Sequence, residues 1–376
     1  MAFMSTAFHT PPRWLRRVML AALASWLTTA ALAQGELPTK GARRVVFLAQ
    51  DFRNGGITAV YRGFEQACRE LGWTLSIVNG AGDRETIRRL FDQAAASGVD
   101  GIVLGGFDED DITDRLVATP RPAPVLVGWH ASSRIGPTPS LFTNVSTDPG
   151  AVAEMAAAFV TQSSSAHAGV VIFNDGRFDI ANVKTLRMRE ALSRCARCEL
   201  LAVEDVPISR AAKEMPAALE SLHRRFGARW THVLAINDVY MDSMHFPLSA
   251  LGRRDIVGIA AGDGSGTALS RIRSGRSQQL ATIAEPTGLH GWQLADELRR
   301  AFARQPPSGR VARPIAVTTE LLRQLGKQEV DDGLPYRAEY RQQWFGGANA
   351  DPASRSVLRQ PPAPAETAER SGRPRD

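Results

Sequence analysis

From Arg43 onward, short apolar runs alternate with longer amphipathic stretches, and this alternation predicts the fold. RRVVFLAQ (43–50), WTLSIVNG (73–80), DGIVLGG (100–106) and APVLVGWH (123–130) read as strands. Between them ITAVYRGFEQACRELG (57–72) and DRETIRRLFDQAAASG (83–98) carry apolar residues at helical spacing, and DEDDITDRLVA (108–118) is read as a third helix. Around LFTNVSTD (141–148) the pattern restarts. Strands are predicted at 168–175, 199–207, 233–236 and 256–260, with helices at 149–162, 179–195 and 210–227 and another between 236 and 256. ATIAEP (281–286) reads as a strand, 287–303 as a helix and RPIAVTTELL (313–322) as a closing strand. Strict β-α alternation with one restart predicts an α/β protein of two similar doubly wound parallel-sheet lobes.

Two of the strands end abruptly. VLAI (233–236) breaks into Asn237-Asp238, and IVGIA (256–260) into Gly262-Asp263-Gly264. In a parallel sheet the crevice lies beyond the carboxyl ends of the strands, so Asn237 and Asp263 are candidate ligand contacts. Asp238 is expected instead to cap the helix that follows. Trp129 is open between stacking in the cleft and packing between lobes, whereas Trp230 and Trp292 are expected in the core. The acidic run Asp108 to Asp111 is expected to be a solvated helix N-terminus, not a metal site.

Composition adds a compartment. The chain has 376 residues, 44% of them hydrophobic, which suffices for two cores. Arg13, Arg16 and Arg17 precede an apolar run (18–30) and Ala31-Leu32-Ala33, the pattern of a secretory signal cleaved after Ala33. The net charge of +6 includes that segment and scattered arginines, without the basic stripe that a nucleic-acid partner would call for. Of three cysteines, Cys195 and Cys198 are expected to form a local structural disulfide in an oxidising compartment, and Cys68 to be a buried free thiol. The Pro-, Ala- and Arg-rich stretch 348–376 is too poor in apolar residues for a core and is expected to be disordered, while the aromatics of 326–347 are expected to pack down as a cap. G-x-S-x-G, H-E-x-x-H, P-loop and G-x-G-x-x-G motifs are absent, so the enzyme alternative reduces to a carboxylate pair such as Asp263 with Glu285 acting on a glycoside.

Four motifs in order, RGFEQA after a strand and polar loop, DGIVLGG, AINDVYMD, and IVGIAAGDG followed by ATIAEP, resemble those of type I periplasmic binding proteins of the sugar-binding branch. The likeness covers about 43–325 and extends to the effector domain of LacI-like repressors, from which the signal segment in place of a helix-turn-helix sets this chain apart. It implies a non-catalytic, monomeric receptor without cofactor or metal, whose lobes (43–146 plus 286–313, and 147–285 plus 314–325) are joined by three hinge crossovers. Such a receptor hands a sugar, polyol or amino sugar to the permease of an ABC importer or, alternatively, shows its closed form to a membrane kinase. Carried over position by position, the implied ligand set is Gln50, Asp51, Asn54, Trp129, His130, Asn182, Asn237, Asp263 and Glu285. Where the family usually has Asp-Arg, Arg and Gln, this chain has Trp129-His130, Asn182 and Glu285. Asp51, Asp263 and Glu285 are then left with only His130 as a basic partner, which makes an amino-bearing ligand the second option beside a neutral polyol.

Overall fold

The computed structural model describes residues 42–119, 122–163, 167–326 and 330–346; the expected signal segment (1–33) and tail (348–376) lie outside the described residues. β1 (Arg44–Ala49) shows how the sequence writes the first lobe. Its Val45, Phe47 and Ala49 face one side of the sheet and Val46 and Leu48 the other, and both sides are buried. Both faces must therefore be covered, as the central strands of a parallel α/β sheet require. The sheet runs β2-β1-β3-β4-β5, all parallel, with β2 (Thr74–Asn79), β3 (Gly101–Gly105), β4 (Val125–Trp129) and β5 (Thr143–Val145). α1 (Gly55–Glu70) starts where the Asn54 side chain accepts from Gly56 N, and α2 (Arg84–Ala96) where Asp83 accepts from Thr86 N.

The second lobe has the order β11-β10-β9-β8-β6-β7. These strands are β6 (Ala168–Asn174), β7 (Cys198–Asp205), β8 (His232–Ala235), β9 (Val257–Ala260), β10 (Gln279–Ala284) and β11 (Ile315–Val317), of which only β11 is antiparallel to its neighbour. Its helices are α3 (Pro149–Ser163), α4 (Asp179–Ser193), α5 (Ala211–Phe226), the short α6 (Val239–Asp242) and α7 (His245–Ala250), and α8 (Gly266–Ser274). Just beyond α4 the Cys195 and Cys198 sulfurs are bonded, with Cα atoms 5.3 Å apart. Cys68 is a buried free thiol, and Trp230 and Trp292 are fully buried.

The chain passes between the sheets three times: after β5, after β10, and between α9 (Thr287–Phe302) and β11. α9 packs on α1 although it follows a strand of the other sheet. The approach is close, since a Cβ on Gly63 would lie 2.6 Å from the Gly288 carbonyl and one on Gly291 2.4 Å from Phe64 N. A last helix, α11 (Tyr336–Phe345), covers this pair with Tyr336 and Tyr340, both buried beside Trp292. Asp331 fastens the segment, accepting from Leu289 N at the start of α9 (3.0 Å).

Two expected elements differ. The stretch 108–118 forms two short 3-10 turns, Glu109–Asp111 and Thr113–Ala118, instead of a helix. The closing strand is confined to three residues because the Thr318 side chain accepts from Leu321 N and starts α10 (Thr319–Leu325). Among the described residues no helix is long and apolar enough to cross a membrane.

Candidate ligand-binding cleft

The polar residues that end the strands of both sheets meet between the lobes. Gln50 follows β1, His130 follows β4, Asn237 lies two residues past β8, Asp263 three past β9 and Glu285 directly past β10. All are at most 7% exposed. Gln50, Asn54, Trp129, His130, Asn237 and Asp263 line one narrow cavity, together with Lys184 and the apolar side chains of Phe178, Ile180, Ile208 and Ile236. The space is ≈ 50 Å³, room for a water or two, against roughly 300–1,000 Å³ for a small-molecule pocket. The lobes are closed on each other: a Cβ on Gly56 of α1 would lie 2.0 Å from an Asp263 oxygen, and one on Gly82 2.5 Å from the Ser209 side chain.

Glu285 is the hub of the site. Its Oε2 lies 2.9 Å from His130 Nε2 in one lobe and accepts from Thr147 N (3.3 Å) on the first crossover, and its Oε1 accepts from Lys184 Nζ (3.4 Å) in the other. Lys184 also donates to the Ala261 carbonyl at 2.9 Å. Burial opposes ionisation of Glu285, but the charges of His130 and Lys184 outweigh it and hold the carboxyl well below its ordinary range. Asp263 moves the opposite way: its own burial is the larger effect, only partly offset by Lys184 and His130, and its pKa is raised. Asn237 Nδ2 donates to Asp263 Oδ2 at 2.8 Å.

A second chain of contacts fixes the aromatic wall. Trp129 Nε1 donates to His290 Nδ1 (3.2 Å), which leaves the His290 proton on Nε2, 3.4 Å from Thr147 Oγ1. Burial pushes the His290 pKa down to about 4, so the ring is neutral at ordinary pH. Trp129 stacks on His130 with centroids 4.1 Å apart and 12° between planes. His130 holds φ of 51°, a region that non-glycine residues rarely enter and that concentrates at functional sites.

Three residues expected in the ligand set do not line that cavity. Asp51 is buried but turns to Arg53, whose Nε donates to both of its oxygens (3.1 and 2.9 Å). Asn182 is exposed; it accepts from Asn174 Nδ2 and donates to the Gly176 carbonyl, while Ala181 and Lys184 take the inner face of α4. Glu285 lies behind the lining and reaches it through His130 and Lys184. The expectation that His130 is the only basic partner is overturned by Lys184 for Glu285 and by Arg53 for Asp51. Asp238 stands at the start of α6 but does not cap it. Its Oδ2 accepts from Gly264 N (2.9 Å) and Ser265 N (3.1 Å), and Oδ1 from Gln279 Nε2 (2.8 Å), which shapes the loop carrying Asp263. The acidic run is not wholly solvated, because Asp108 Oδ2 accepts from Asp179 N (2.9 Å) across the lobes. His130, Asp263 and Glu285 each offer a ligand atom within 4.8 Å of the others, a spacing a cation could use, but Lys184 already supplies positive charge there.

Residues 45–305 match the family model of the periplasmic binding protein domain. Curated protein sequences give no match. Among solved structures, a twin-arginine translocation pathway signal protein from Burkholderia phytofirmans superposes with a TM-score of 0.69 at 16% identity, covering 80% of this chain and 97% of that one. A myo-inositol binding protein from Caulobacter gives 0.63 at 17% identity, covering 77% and 98%. A glucose-galactose binding protein from Geobacillus stearothermophilus gives 0.63 at 14%, covering 75% and 99%. At these identities the likenesses are of fold alone. With more than half its length matched to that family model, the chain belongs to the periplasmic binding protein family and has the type I fold.

Proposed function

We propose that the protein is an exported solute receptor that closes its two lobes on a sugar or polyol and presents the closed form to the permease of an ABC importer. The observation that carries this reading is the convergence of Gln50, Asn54 and His130 from one lobe on Lys184, Asn237 and Asp263 from the other, beside Trp129. Amides and carboxylates pair with vicinal hydroxyls in directional hydrogen bonds, and an aromatic wall suits C–H surface. The Lys184–Glu285 pair supplies the counter-charge the sequence reading lacked, so a neutral polyol is favoured over an amino-bearing ligand. The matched inositol and glucose-galactose binders agree with that class. The lobe boundaries given above and a monomeric receptor without cofactor belong to the same proposal.

A thermal-shift panel of monosaccharides, inositols and polyols tests the reading. A binder at 100 times its Kd adds about 2.7 kcal/mol, a rise of roughly 5–10 °C. Asp263→Ala and Asn237→Ala should each weaken that ligand by about 10–100-fold, the value of a hydrogen bond to a charged or buried polar group. A panel without any shift would sink the sugar reading.

Closure should also depend on pH. Asp108 touches α4 only across the lobes, its Oδ1 is buried without a hydrogen-bond partner, and burial pushes its pKa up to about 7, with Asp179, Asp110 and Asp111 adding to the rise. An open lobe returns it to water and to the ordinary carboxylate range, so closing takes up a proton between the two values. Affinity should then rise as pH falls from about 7 towards 5, by up to about tenfold per pH unit, and level off above 7. Calorimetry on the parent and Asp108→Asn checks this; equal slopes in the two would remove Asp108 from the linkage.

A further inference from the structure

The cleft is chemically two-sided. Its hinge end is polar and buried: Asn237, Asp263, His130 and Lys184 are at most 7% exposed. Towards solvent the second lobe presents Phe178, Ile180 and Ile208, all half-buried, which continue inward to the buried Ile236. Local structure fixes this wall. Phe178 and Ile180 flank the start of α4, Ile208 opens the 3-10 turn after β7, and Ile236 follows β8. None of these side chains can accept or donate a hydrogen bond.

A sugar's C–H face against an aromatic platform does not account for the wall. Three of its four members are aliphatic, and the Phe178 ring carries the Arg177 guanidinium at 5.2 Å. The Trp129 ring is likewise covered on one side by His130. A ligand hydroxylated all round would give up water at the isoleucines without gaining a partner, whereas a methyl or methoxy group there gains apolar burial.

Resting on the receptor reading above, we infer that the ligand is an amphipathic polyol, with its hydroxyls towards Asn237, Asp263 and His130 and a deoxygenated or O-methylated edge against Phe178, Ile180, Ile208 and Ile236. The class comprises deoxy sugars and methyl ethers of sugars or inositols. Its members differ from common hexoses and inositols only at the edge that meets the wall.

Matched pairs test the assignment on the purified protein by calorimetry: D-fucose with D-galactose, L-rhamnose with L-mannose, 6-deoxyglucose with glucose, and a mono-O-methyl inositol with its parent. In at least one pair the deoxy or methylated member should bind about 10–100-fold more tightly, the discrimination expected of a hydrophobic pocket. Ile208→Asn should erase or reverse that ratio, and Ile180→Ser provides the same readout should the first variant fold poorly. Parents that bind as well as or better than their partners in every pair overturn this inference and leave the receptor reading intact. No binding by any member of the pairs or of the wider sugar panel overturns both.

Discussion

Lys184→Met is expected to destabilise the protein by about 3–5 kcal/mol, because it leaves the Glu285 carboxylate buried without the ammonium that pairs with it. Lys184 is 3% exposed and Glu285 2%, so water cannot substitute for the lost charge. His130 remains beside Glu285 and places the loss towards the lower end. The melting temperature should fall by on the order of 10 °C, and the double variant Lys184→Met/Glu285→Gln should recover most of it, since removing both charges leaves no unpaired ion. Glu285 has a folded pKa below its unfolded one. Its contribution is therefore present above the ordinary carboxylate range and lost as pH falls through the depressed value, so the curves of parent and single variant should converge in strong acid. A single variant within 1 kcal/mol of the parent would show that the ammonium does not hold Glu285.

Trp292→Ala should cost about 3–5 kcal/mol in urea unfolding, the range for deleting a fully buried large aromatic. The ring stacks on Trp344 (5.2 Å, 7°) and on Tyr340 (6.3 Å), and Nε1 donates to Gln66 Oε1 at 3.1 Å. One residue thus joins α1, α9 and α11. Beyond the lost area, the change takes the shorter of the two bonds from Gln66 Oε1, leaving the Arg337 contact (3.3 Å), and opens the seat of α11. Increased proteolysis near residue 330 should accompany the loss in midpoint. A cost below about 1 kcal/mol would mean that the last helix is held by its rim pairs, Arg341–Glu70 and Arg310–Glu339, instead of by its aromatic face.

The strands were legible because buried parallel strands are written as short continuous apolar runs, and β1, β3, β4 and β8 end within a residue or two of where the runs end. Asn237 and Asp263 were legible for the same reason, as polar residues just past the runs 233–236 and 256–260, whereas Gln50 and His130 were named through the family resemblance. Lys184 was not legible. It sits in a helix whose composition reads as a solvated face, and one-dimensional spacing does not tell which side of α4 turns towards Ala261 and Glu285. Asn182, two residues earlier, lies about 200° around the same helix and points away. His290 was hidden likewise, because its partner Trp129 is 161 residues away. The stretch 108–118 has helical spacing in the sequence but winds as two 3-10 turns, and the Asp111 carbonyl between them accepts from Arg88 Nη1 of α2. Asp51 was misplaced because a carboxylate two residues before an arginine finds it locally, whatever cleft lies beyond.

The position of α9 sets an order on biosynthesis. The face of α1 that carries Val60 and Phe64 is covered by a helix encoded after β6 to β10 of the second lobe, and that helix is sealed in turn by residues 330–346. A nascent chain that has released only residues 1–110 can pair β1, β2 and β3 but cannot complete the layer over them. The first lobe to be synthesised is therefore the last to be finished, and a chain stopped anywhere before Phe302 leaves that apolar surface bare.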